Sequence, residues 1–249
     1  MQLTALDGIG DVVAGDDIAQ IIAASLGAIR LAAQDVVVVA QKIVSKAEGR
    51  RVDLAGVTPS PAALDLARTT GKDARLVELI LGEASEVVRA VPGVLIVRHR
   101  LGLVMANAGI DQSNLSRDTP GEPVLLLPVD PDASARAIRN GLRAATGVAP
   151  AVVISDSFGR PWRLGSVNVA IGVAGLPALV DRRGEPDRYG RRLEATEVAL
   201  ADAVAAAAGL VMGEGAEGLP VVHMRGLGWQ ESDAGSAKLL RAAGQDLFR

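Results

Sequence analysis

Cysteine is absent from the 249 residues. This excludes disulfides, zinc–thiolate sites, iron–sulfur clusters and thiol nucleophiles together. Aromatic residues are almost as scarce, at 2%: Trp162, Trp229, Tyr189, Phe158 and Phe248. The core must then be built from Ala, Val, Leu and Ile, and no row of rings exists on which bases could stack. The only histidines, His99 and His223, form no H-x-x-x-H or H-E-x-x-H, which excludes a histidine-rich metal centre and leaves each a structural or solvated role rather than a catalytic one. A net charge of -3 denies the chain the broad cationic field of a nucleic-acid binder. No run reaches the roughly 18–20 apolar residues of a membrane helix. The nearest, 198–212, is broken by Asp202 and Gly209. No positive charge precedes the apolar residues of the first ten positions, so no targeting signal is expected. The expectation is a soluble, cytoplasmic protein without a nucleic-acid or membrane partner.

What is present is ordinary for a folded chain: 49% hydrophobic and 22% charged residues in 25.6 kDa. That length allows one large domain or two small ones. Only four of the 26 basic residues are lysines, and two of them, Lys42 and Lys46, fall within five positions. Proline and glycine punctuate the chain at 59–61 and 118–123, either of which could join two lobes. Apolar spacing predicts helices over 16–33, 73–91, 132–146 and 193–210, with a short last helix over 234–243. Strands are predicted over 36–39, 94–97, 103–106, 124–127, 152–154 and 220–224, with 94–97 and 103–106 forming a hairpin. The valine run 36–39 should be buried on both faces. Hairpins mixed with crossovers predict α+β or α/β architecture around a mixed sheet.

Several apolar strands stop at polar, glycine-rich loops, where rigid supports commonly carry sites. After 152–154 come Asp156, Ser157, Gly159, Arg160 and Arg163: two oxygen donors suited to a hard cation, then guanidiniums suited to phosphate or carboxylate. An Asx turn flanked by solvated arginines would leave the same trace. After 103–106 come Asp111 and Asn114, a metal carboxylate with a polar ligand contact, or equally an Asn/Asp-rich turn. The loop 212–219 matches G-x-G-x-x-G in letters at Gly213, Gly215 and Gly218. A helix precedes it and a strand follows, the reverse of a dinucleotide fingerprint. It remains either a loop that wraps a nucleotide, with Glu214 or Glu217 reaching a metal, or a plain connection. Lys42 and Lys46 follow the valine run as phosphate-binding candidates or as solvated side chains at a strand exit. No G-x-x-x-x-G-K-[ST] and no G-x-S-x-G occurs, which excludes a P-loop and gives no support to a hydrolase triad. Taken alone, these residues point to oxygen-ligated Mg²⁺ or Mn²⁺ and a phosphate-bearing ligand.

The strings VVVVAQKIVSKAEGR, RLVELILGEASEVVR, LGLVMANAGIDQSN, LLLPVDPDASARAIRNGL, VVISDSFGRPWRLG and ATEVALADAVAAAAGLVMGEGAEGLPVV, in this order, resemble the coenzyme F-420-0:L-glutamate ligase (gamma-glutamyl ligase) family from about Leu6 to Phe248. The resemblance covers the ligase half of the fused actinobacterial enzymes and no nitroreductase-like half. It implies an unusual α+β fold, a homodimer, two divalent cations, stimulation by K⁺, and GTP-driven joining of L-glutamate to the F-420-0 precursor. Carried over residue by residue, it places the metal carboxylates at Asp111 and Asp156, beside the hydroxyl of Ser157, with a further metal contact at Glu214. It places GTP against Ile9, Gly10, Asp11, Val12, Gln41, Lys46 and Asn114, and against the loop Met212, Gly213, Glu214, Gly215, Ala216, Glu217, Gly218 and Leu219. Asp111, Asp156 and Lys46 then become the catalytic candidates, and Arg160 and Arg163 are taken to meet the substrate. The sequence departs from the family with Gln41 for Ser or Thr, Glu214 for Gln and Ser157 for Thr. The implied route is an acyl phosphate made from GTP and attacked by the glutamate amine, releasing GDP and phosphate. A metal-dependent phosphatase or nucleotidase would use the same carboxylates, and a non-catalytic deazaflavin- or nucleotide-binding module would use the same loops.

Overall fold

The computed structural model describes residues 1–113 and 121–246. In chain order the elements are β1 (Gln2–Ala5), α1 (Ile18–Ser25), β2 (Val36–Ala40), α2 (Gln41–Ala47), β3 (Arg51–Asp53), α3 (Pro61–Thr70), α4 (Ala74–Glu83), β4 (Ala84–Val91), β5 (Val94–His99) and β6 (Val104–Ala106). There follow β7 (Pro123–Leu125), α5 (Pro131–Thr146), β8 (Ala151–Arg160), β9 (Arg163–Ala174), β10 (Val180–Asp181), β11 (Glu197–Val198), α6 (Leu200–Met212) and β12 (Val221–Arg225). The fold is α+β. Its central sheet has the order β1-β12-β2-β8-β9, with β2 and β8 parallel and every other pair antiparallel. β4, β5 and β6 make an antiparallel meander, and β3–β7 and β10–β11 are two-stranded pairs.

The valine run does what its composition requires. Val36, Val37, Val38 and Val39 are all fully buried. Because successive strand side chains point to opposite faces, Val37 and Val39 join α1 and α5 on one side while Val36 and Val38 join α6 on the other. A third cluster (Leu54, Val77, Ile80, Leu95 and Val97 among it) lies where α3 and α4 cover the meander. Among the described residues no helix is long and apolar enough to cross a membrane.

The edge strand β9 is covered by carboxylates from both helical layers. Asp132, in the first turn of α5, accepts from the Val173 amide at 2.8 Å. Asp202, in the first turn of α6, accepts from the Ala170 amide at 2.9 Å. An unpaired edge donor is thereby satisfied on each face. Close packing here depends on Gly172, where an added methyl would overlap the Pro131 carbonyl at the start of α5.

Several expectations need correction. The helix over 73–91 ends at Glu83, and 84–91 are strand β4, where Val87, Val88 and Val91 favour extended backbone. Glu83 is held there by Arg50 at 2.9 Å, Arg100 at 3.2 Å and His99 at 3.3 Å. Burial alone would raise its pKa, but these partners bring it down to about 2. The helix over 16–33 stops at Ser25, and that over 193–210 begins only at Leu200. The last helix is a 3₁₀ turn, Ser236–Leu239. Strand 152–154 extends to Arg160 and forms a long hairpin with β9, which hydrophobic spacing did not reveal. Lys42 and Lys46 stand on a helix, α2, rather than on a strand exit. Residues 59–61 begin α3, with Ser60 capping the Ala63 amide and Pro61 in the first turn.

Candidate active site

Because β2 and β8 run parallel, their C-terminal ends open on the same side of the sheet. β2 turns there into α2, and β8 continues past the buried Ser155 to deliver Asp156 and Ser157. Strand β9 sets Asn168 directly opposite Ser157. The Asn168 side-chain amide donates to Glu214 Oε1 at 3.0 Å, so the loop after α6 is tied to the strand that faces the β8 carboxylate.

Asp111 arrives from the meander. Three consecutive residues with positive φ, Asn107, Ala108 and Gly109, turn the chain out of β6. Such backbone is tolerated by Asn and Gly but costly for Ala108, and costs of this kind gather at functional sites. The Asp111 main chain then pairs with Leu125 in both directions, at 3.0 and 2.8 Å. Its carboxylate meets Lys42 Nζ at 2.6 Å and accepts from the Ser113 amide at 2.7 Å. One turn along α2, Lys46 Nζ pairs with Asp11 at 2.7 Å and draws the N-terminal loop onto the helix.

Two clefts meet at Asp156 and Ser157. The smaller, about 370 Å³, is lined by Ile9, Gly10, Gln41, Lys46 and the loop after α6. The larger, about 1220 Å³, runs between the meander and the β8–β9 hairpin and includes Asp111, Arg160 and Arg163. Most expected site residues are therefore gathered around one junction. Val12 packs in the core instead, at 4% exposure, and Gln41 is buried with its Oε1 accepting from Ser45. Glu217 folds back on its own loop to accept from the Gly215 amide at 2.8 Å. Arg160 donates across the hairpin to the Leu164 carbonyl at 3.2 Å. Asn114 lies outside the described residues. Sequence reasoning overlooked Asn168 and took Lys42 as a phosphate-binding candidate or a solvated side chain, whereas it pairs with Asp111; the four-residue spacing of Lys42 and Lys46 was the available signal for a helical face.

The electrostatics are lopsided. Burial pushes the Asp156 carboxyl up to about 7, and the charges of Asp111 and Glu214 add to that, against the Ser157 amide and Lys42. At Asp111 burial acts upward too, but Lys42 and the Ser113 amide hold it below its usual value. Negative charge at the junction is thus under-compensated.

A comparison with protein families matches residues 8–226 to F420-0:Gamma-glutamyl ligase. The chain belongs to this family. Among similar proteins, the coenzyme F420:L-glutamate ligase of Methanothermobacter thermautotrophicus is 50% identical over 100% of this chain and 99% of its own length. That of Methanopyrus kandleri is 47% identical over 94% and 92%, and that of Haloarcula marismortui 44% over 100% and 96%. In this member of the gamma-glutamyl ligase family, no three acidic or histidine side chains among the described residues converge on a point that would hold an ion unaided. Mg²⁺ is commonly held by one or two carboxylates together with substrate phosphates. Asp111, Asp156, Glu214 and the Ser157 hydroxyl fit such an ion in donor type, and the raised Asp156 pKa marks a charge that a cation would relieve.

Proposed function

We propose that this chain joins L-glutamate to the F420-0 precursor at the expense of GTP, through an acyl phosphate. The supporting observation is the meeting of two clefts at Asp156 and Ser157 in a chain of this family. In the proposal GTP occupies the smaller cleft. The main chain of Ile9 and Gly10 and the loop 212–219 surround it, and Lys46 exchanges Asp11 for a phosphate oxygen. The precursor occupies the larger cleft with its carboxylate at the junction. Its oxygen attacks the γ-phosphorus, GDP leaves, and an acyl phosphate forms. The amine of glutamate then attacks the acyl carbon, expels phosphate, loses a proton and leaves an amide.

Phosphoryl transfer demands positioning and charge neutralisation more than covalent help. The parallel strands supply the positioning, since α2 and the end of β8 leave one sheet side by side. Bound Mg²⁺ or Mn²⁺, two ions in the proposed scheme, would neutralise phosphate charge at Asp111, Asp156 and Glu214. Asn168 holds Glu214 in place, and Lys42 balances Asp111.

A mass-resolved assay with precursor, L-glutamate, Mn²⁺ and GTP, with ATP in a parallel tube, tests the reading. Gain of one glutamyl unit with GTP alone is the expected result. GDP release without a glutamyl product would make the protein a hydrolase, and binding without either product would make it a binding module.

A further inference from the structure

Lys42 joins the two clefts. Its side chain lines the smaller one, while the carboxylate it pairs with, Asp111, lines the larger. Nζ lies 2.6 Å from Asp111 Oδ2 and donates to Ser113 Oγ at 2.7 Å. An ammonium is a compact point charge that donates and never accepts. On Asp111 and Ser113 it therefore engages oxygen atoms of the kind a hard divalent ion takes.

The two partners differ in freedom. Asp111 is held in place independently of the lysine: its main chain pairs with Leu125 in both directions, and its Oδ1 accepts from the Ser113 amide at 2.7 Å. Lys42 stands on the first turn of α2 and ends a flexible aliphatic stem. The two side chains are 28% and 29% exposed, and an ion pair open to water contributes little to stability, so parting this one costs the fold little. A divalent ion and an ammonium repel each other at the range of one carboxylate oxygen, so Asp111 serves one of them fully only when the other has moved. The carboxylate stays and the lysine is the member that moves.

We infer that Lys42 is a placeholder for the divalent ion on Asp111: the ion displaces it, and its charge then turns to the anion in the smaller cleft. The inference rests on the proposed metal and nucleotide sites and deepens them by coupling one to the other. An ion that releases Lys42 prepares the smaller cleft for phosphate, and a phosphate that draws Lys42 away opens Asp111 to the ion, to the same extent. Lys42 is in this account a positioning residue, acting through Asp111.

The test is Mn²⁺ binding to the full chain without nucleotide, read from the electron paramagnetic resonance signal of free Mn²⁺, so no turnover is needed. Lys42→Met should bind Mn²⁺ about ten-fold more tightly than the native chain, and adding Asp111→Asn should abolish the gain. Lys42→Arg, which keeps a cation against the carboxylate, should stay close to native. Lys46→Met removes a lysine of the same helix that pairs with Asp11 instead, and should gain no more than about two-fold. In equilibrium dialysis of a β,γ-imido analogue of GTP, Mn²⁺ should tighten binding to the native chain by about ten-fold or more, and clearly less in Lys42→Met. Unchanged or weaker Mn²⁺ binding in Lys42→Met overturns the inference and leaves a plain structural ion pair beside a standing metal site. An equal gain in Lys46→Met also overturns it, as a general effect of charge. Mn²⁺ that binds neither the native chain nor Lys42→Met, with or without the analogue, removes the metal reading itself and the inference with it.

Discussion

Replacing Asp156 by Asn is expected to abolish ligation and to stabilise the metal-free protein. The carboxyl is pushed from 3.8 up to about 7, chiefly by burial and further by the charges of Asp111 and Glu214. A raised acid binds its proton more tightly folded than unfolded. Its cost to stability is therefore absent below pH 4, grows as pH rises from about 4 to about 7, and is constant above. Three units at ~1.36 kcal/mol each set a ceiling of about 4 kcal/mol. Asp156 stands half-buried where two clefts open, and water reaching it screens the cost to about 2 kcal/mol. Asparagine keeps the size of the side chain and an acceptor for the Ser157 amide while removing the charge. Denaturant unfolding from pH 4 to pH 9, in chelator and without nucleotide, measures the effect. The variant should pull ahead of the native protein between pH 4 and pH 7 and hold a lead of about 2 kcal/mol above, worth roughly 4–8 °C in Tm for a chain of this size. Millimolar Mn²⁺ should narrow or reverse the lead, because it stabilises only the protein that can bind it. Parallel pH profiles for the two proteins would refute the electrostatic account of this residue.

Three further outcomes follow from other parts of the molecule. Gly172→Ala should cost more than about 2 kcal/mol in unfolding experiments, because the added methyl meets the main chain of Pro131, which cannot rotate away. Asp35, held at about 2 by Arg225 and His223 against the upward pull of burial, contributes stability above pH 4 that is lost as pH falls toward 2. Asp35→Asn should flatten that acid limb and lower stability at neutral pH by about 3 kcal/mol, since it leaves Arg225 and the buried His223 without their carboxylate. Lys46→Met should raise the KM for GTP at least ten-fold and leave the precursor KM within two-fold; equal rises in both would place Lys46 outside the nucleotide cleft.

The central sheet was legible where hydrophobic patterning is strongest. The run Val36–Ala40 and the buried half of β8 announce themselves as apolar segments that end in polar loops, and α5 carries an Asp-Pro start and a Gly stop. The candidate site was visible in part for the same reason: Asp156 and Ser157 continue β8 and Lys46 stands on the helix that follows β2, while Gly213 marks the end of α6. Elements decided by partners rather than by pattern were not. The helical spacing of α4 runs on through Val87, and only the meander, with Glu83 locked to Arg50, Arg100 and His99, turns 84–91 into strand. β9 begins with exposed polar residues, and two carboxylates from distant helices complete its edge.

Register explains the remaining gap, and it does so at the tip of the β8–β9 hairpin. In the sequence, Arg160 and Arg163 stand out as charges near a candidate carboxylate, and Trp162 reads as one more rare aromatic. Pairing β8 with β9 changes the weight of each. It sets Arg160 across from Arg163, makes Pro161–Trp162 a two-residue turn and forces the tryptophan to positive φ. Arg160 becomes a brace for the hairpin, and Arg163 and Trp162 line the larger cleft. None of this can be read from local propensity, because proline followed by a positive-φ position predicts glycine. The departure from that rule is the informative observation, because the pairing of the two strands, and not the residue type, puts Trp162 at the positive-φ position.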